Sequence, residues 1–116
     1  MDMFRRSETE LITGLGKNRD GRLQVFVDAK DASKTPPARR ILRHVKKQFR
    51  AKETHKIVDP ITNAAVVDLT IEGRELVFEL DDMGEINIYA KDAGADALLA
   101  RIAESLKQEL TPDGET

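Results

Sequence analysis

The chain has 116 residues, of which 40% are apolar and 34% charged, with four Phe, one Tyr, no Trp, no Cys and a net charge of −2. That length implies one domain burying about two thirds of the unfolded chain's surface, and so few rings imply an aliphatic core of Leu, Ile and Val. The missing cysteines exclude disulfides, thiolate chemistry and cysteine zinc sites. No stretch reaches the roughly 18 apolar residues of a membrane helix, and none follows Arg5 and Arg6 as a secretory signal requires, so a cytoplasmic protein without membrane contact is expected.

The small net charge conceals a partition. Residues 1–56 carry 15 Lys or Arg against 7 Asp or Glu, whereas residues 57–116 carry 4 against 14. Such asymmetry between halves points to electrostatic contacts inside or outside the molecule.

The first segment reads two ways. Ser7 and Glu10 form a capping box ahead of Leu11 and Ile12, yet 8–15 also reads as a strand entering the turn 18–21, and the need of strand 22–28 for a hairpin partner favours the strand. Residues 22–28 alternate, with Leu23, Val25 and Val27 on one face and Gln24, Phe26 and Asp28 on the other. Gly14, Gly16 and Lys17 invite comparison with a phosphate loop, but a Walker loop needs four residues between its glycines and Ser or Thr after the lysine, where Asn18 stands. A mobile hairpin loop is expected there instead.

A polar connector, 28–35, leads to the stretch on which the functional reading rests, residues 36–52. Ala38, Ile41, Leu42, Val45 and Phe49 follow the i, i+3, i+4, i+7 pattern of a buried helical stripe. Arg39, Arg40, Arg43, Lys46, Lys47 and Arg50 gather on the other side, with no Asp or Glu between Asp31 and Glu53. Thr35 is the expected N-cap, with Pro36 and Pro37 in the first turn. The like-charge neighbours each destabilise the isolated helix by about 0.2–0.5 kcal/mol, so tertiary packing must hold it. Val45 and Phe49 are expected to bury against Phe78 and Ile88.

Residues 55–60 suggest a short extended piece. Three strands then run in succession over 65–72, 75–81 and 85–91, reversed at Gly73 and at Met83-Gly84. Alternation turns Val67, Leu69, Ile71, Leu76, Phe78, Leu80, Ile86, Ile88 and Ala90 inward. It turns Asp68, Glu72, Val77, Glu79, Asp81 and Tyr89 outward, beside Phe26, as an acidic face with an apolar centre. A second amphipathic helix covers 93–110, with Asp92 or Gly94 as cap, and 111–116 is expected to be a disordered tail.

The predicted architecture is α+β: a two-layer sandwich of four to five antiparallel strands with two helices on one face, in the order β-β-α-β-β-β-α. Residues 1–110 form its single domain. No catalytic, metal or cofactor site is expected. Ser7, Ser33 and Ser105 lie in unrelated contexts, the acidic turn 81–85 lacks the alternating oxygens of a calcium loop, and His44 and His55 read as surface residues with no ligand three or four positions away.

Two functions fit. One is a protein-binding or regulatory module, of an inhibitor, immunity, adaptor or chaperone kind, that uses the helix cations and the outer sheet face to meet a protein partner or another copy of itself. The other is backbone-driven RNA or DNA binding by the basic helix, which offers no Asn or Gln for base readout on its cationic side. A small enzyme with an unrecognised site is a third and weaker reading.

Overall fold

A computed structural model describes residues 11–29 and 36–110. The Ser7–Glu10 box, the Thr35 cap, most of the connector and the tail 111–116 lie outside the described residues. The elements are β1 (Leu11–Lys17), β2 (Leu23–Ala29), α1 (Ala38–Gln48), β3 (Lys52–Val58), β4 (Ala65–Ile71), β5 (Arg74–Leu80), β6 (Ile86–Ala90) and α2 (Asp96–Leu110). The strands form one six-stranded sheet in the order β1-β2-β6-β5-β4-β3, with every neighbouring pair antiparallel.

The α+β sandwich is the predicted one, with more strands than expected. Residues 11–17 settle as a strand, and the short piece at 55–60 becomes the full edge strand β3, which begins at Lys52, inside the stretch expected to be helical. Gly14 and Gly16 belong to β1 rather than to a mobile loop. The Phe26 ring of the neighbouring strand lies on them, and a Cβ added at Gly14 would stand 2.7 Å from its Cζ. Ring and glycines thus fill a space that two ordinary side chains would contest.

The inward residues are the expected ones. Val25, Val27, Val67, Leu69, Ile71, Leu76, Phe78, Ile86 and Ile88 join Ile41 and Val45 of α1, and Leu98, Leu99, Ile102 and Leu106 of α2, in one cluster. Phe49 departs from expectation. It ends α1 as the C-cap and is only half-buried, with the Arg101 guanidinium 5.7 Å from its ring centroid. Phe49→Ala should therefore cost less than the roughly 3–5 kcal/mol of a fully buried ring, as urea melts would measure.

A hairpin turn and a helix end both use the left-handed region. The β4–β5 reversal has Glu72 at φ +53 and Gly73 at φ +78, the pair of positive angles a two-residue type I′ turn requires. At the end of α1 the Ala51 N–H donates to the Lys46 carbonyl at 3.0 Å, a Schellman closure that puts Arg50 at φ +53 where glycine is usual. A left-handed arginine costs about 1–2 kcal/mol. Arg50→Gly is accordingly expected to raise the melting midpoint.

Two helices cannot roof this sheet. Six strands at about 4.8 Å span roughly 24 Å between the outermost axes, while two helices about 10 Å wide cover roughly 20 Å. Helix α2 lies over β1, β2 and β6 and touches α1 beside it. The shortfall falls on β3, whose residues are exposed on both sides apart from the half-buried Glu53.

Candidate functional site

The cationic side of α1 is largely exposed, but its six residues differ. Arg40 is tied to the end of α2, where its Nη2 donates to the Glu109 carbonyl at 3.0 Å and meets Glu109 Oε2 at 3.3 Å. Lys46 Nζ meets Glu53 Oε1 at 3.1 Å. Arg39, Arg43, Lys47 and Arg50 are exposed and have no carboxylate partner among the described residues. Pro37 occupies the N-cap of α1, without a side-chain cap.

Among the described residues no helix covers the opposite face of the sheet. Pairing register aligns Gln24, Tyr89, Val77, Asp68 and His55 in one row across it, and Phe26, Asn87, Glu79, Val66 and Ile57 in the next. Val77 is only 5% exposed although it points outward, because its row neighbours shield it. Gln24 Nε2 donates to Asn87 Oδ1 at 3.2 Å. Lys91 reaches in from the end of β6 to Asp68 at 3.3 Å and Glu75 at 3.6 Å, so part of the acidic charge is answered locally.

Two residues assigned to this face sit elsewhere. Glu72 belongs to the β4–β5 turn and receives a two-pronged bond from Arg101 of α2, at 3.0 and 2.8 Å, on the helical side. That guanidinium pulls the Glu72 carboxyl below its ordinary range. Asp81 closes the β5–β6 turn, its Oδ1 accepting from the Met83 and Glu85 N–H groups at 2.9 and 2.8 Å. The acidic turn is thus a hairpin device, and Glu85 within it is pushed upward by the charges of Asp28 and then Asp81.

Burial first, then the Glu79 and Asp68 charges, raise Tyr89 above the usual phenol range, while Lys91 opposes the rise. A raised group holds its proton longer when folded, so its contribution to stability is complete below the unfolded pKa and is lost as pH climbs through the folded one. Tyr89 is the only tyrosine and the chain has no tryptophan, so ultraviolet tyrosinate absorbance reports on it alone. Glu79→Gln should lower the midpoint of that titration and Lys91→Met should raise it; an unmoved midpoint in both would place the tyrosine outside this charge cluster.

Sequence reasoning misses two features. His44, expected at the surface, lies between the helices, with Nε2 2.7 Å from Ser105 Oγ and Nδ1 3.7 Å from Glu109 Oε1. The order Ser–His–carboxylate is that of a nucleophile relay. Ser105, however, stands inside α2, where neighbouring N–H groups are spent on the helix ladder and none is left for a developing oxyanion. What the trio visibly does is bind α1 to α2. His55, in contrast, is exposed on the outer face opposite Asp68.

The second feature is a groove of about 710 Å³ between α1 and the β3–β5 side of the sheet, in which Lys56 joins Arg39 and Arg43 around an apolar floor. Nothing in the local pattern of β3 announces it. Among the described residues no group of three His, Cys, Asp or Glu is placed to hold a metal ion, and no helix is long and apolar enough to cross a membrane. Comparison with protein-family models, curated proteins and solved structures finds no match to this chain.

Proposed function

We propose that this protein is a non-enzymatic binding module that works by occupying an oppositely charged protein surface, with another copy of itself as the simplest partner. The observation that carries the reading is the separation of two charged faces. Arg39, Arg43, Lys47 and Arg50 lie on the helical side, and Asp28, Glu79 and Glu85 lie on or beside the open sheet face. Turned away from each other, the two cannot be neutralised within one molecule. The strained Arg50 adds support, since a cation is kept where glycine would be more stable. Phe26, Val77 and Tyr89 give the acidic side the apolar centre and charged rim common in interfaces.

The test is native mass measurement of the full chain at low and high salt, alone and with RNA. Assemblies that form without RNA and dissolve as salt rises are expected. A bare monomer under every condition counts against the reading.

A nucleic-acid reading has its own observation, the four cations on and just after α1 that have no carboxylate partner among the described residues. If all four met phosphates, the log–log salt slope on duplex DNA would be about −3.6, at roughly 0.9 per phosphate. Arg43→Glu would flatten it by about one unit. The absence of any shift of labelled duplex or RNA at low salt removes this alternative.

A further inference from the structure

We infer that the groove between α1 and β3 is a docking site for an acidic amphipathic helix of a partner protein, which would lie beside α1 and complete the helical layer. The inference deepens the protein-binding reading and rests on it.

Shape supports it first. The part of the sheet left unroofed by α1 and α2 is the β3 edge, and the groove lies there, with a volume of about 710 Å³, inside the roughly 300–1,000 Å³ of ordinary ligand sites. Its floor is formed by Leu42 of α1, Val58 of β3, and Phe78 and Leu80 of β5. Phe78 is 2% exposed and Val58 47%, so the floor runs from the core outward. An apolar stripe of about three helical turns, with anchors at i, i+3 or i+4, and i+7, matches such a floor.

Charge selects the partner. Arg39 and Arg43 stand along the α1 side and Lys56 along the β3 side, and among the described residues no carboxylate lines the groove. A helix with Leu or Ile anchors flanked by Glu and Asp would pair with both rims, whereas a basic helix would be repelled from both. Strand addition at the free edge of β3 is the competing mode. That edge carries a register break between Glu53 and His55 and two lysines, Lys52 and Lys56, which are devices that discourage pairing.

The test uses the full chain and a fluorescent synthetic peptide of three to four turns, with leucine anchors and glutamate flanks. Controls are the same peptide with lysine flanks, a peptide with serine in place of its anchors, and anionic phosphatidylglycerol vesicles. Saturable micromolar binding of the acidic peptide alone is expected, with amide shifts at Leu42, Val58 and Leu80. Lys56→Glu and Val58→Glu, both at exposed positions on the edge strand, should each weaken it about tenfold or more with melting curves unchanged. Arg43→Glu, on the other rim, repeats the test should the strand variants melt early.

No binding, equal binding of the lysine peptide, preference for vesicles, or affinity untouched by all three variants would overturn the inference. Glu79→Lys on the far face should leave peptide binding unchanged while disturbing low-salt assembly. In the unmutated chain, absence of peptide binding with low-salt assembly present sinks the groove alone, and absence of assembly with peptide binding present sinks only the pairing of the two charged faces.

Discussion

Replacing Ile88 with alanine is expected to cost about 2–5 kcal/mol, a large part of the roughly 5–15 kcal/mol that holds a domain of this size folded. Ile88 is fully buried at the middle of β6, paired with Val25 of β2 on one side and Phe78 of β5 on the other. A missing side chain there leaves a cavity bordered by two strands and the helical layer, and backbone pairing on both sides keeps the walls from closing on it. Urea melts should show a lower midpoint with an unchanged slope. A loss under about 1 kcal/mol would mean that the layer above collapses into the space more freely than this packing suggests.

Charge reversal across the proposed contact should have the next largest effect. Two unit charges about 4 Å apart in water attract by about 1 kcal/mol, so turning attraction into repulsion shifts binding by about 2 kcal/mol, roughly 30-fold. Arg43→Glu and Glu79→Lys should each weaken low-salt assembly by about that factor, and the double variant should regain part of the loss if the two positions face each other. Arg40→Glu makes an instructive control. Arg40 already holds Glu109, so its reversal should loosen the contact between α1 and α2 more than it changes assembly. Equal effects of Arg40→Glu and Arg43→Glu would argue for a diffuse field rather than a contact.

The parts of this fold legible in the sequence are those in which a segment has one face to bury. Alternation over β4, β5 and β6 and the 3.6-residue stripes of both helices mark the core because each side chain there is either in or out. Strand β3 shows only as a fragment for the same reason, since KETHKIV lies at an edge with both faces exposed and leaves no apolar period to detect. Glu72 and Asp81 are misplaced when alternation is carried past the strand ends into turns, where the chain reverses and the parity rule lapses. Gly14 and Gly16 read as a loop because the ring that makes them tolerable in a strand belongs to Phe26, twelve residues from Gly14 and across a hairpin. The pairing of Arg40 with Glu109 and of His44 with Ser105 joins residues 69 and 61 positions apart, with no local trace in either helix.

The seam between β2 and β6 also bears on how the molecule assembles in time. The β1–β2 hairpin and the β3–β6 meander can each form from near neighbours, but they meet through only four register pairs, of which Val25 with Ile88 spans 63 positions. Closing a loop of that length costs about 4 kcal/mol of chain entropy before any contact repays it. Docking of the hairpin onto the meander should thus be the slow, late event of folding. In native-state hydrogen exchange the same boundary predicts that amides of Leu11–Lys17 and Leu23–Ala29 open together, at a lower free energy than those of β5.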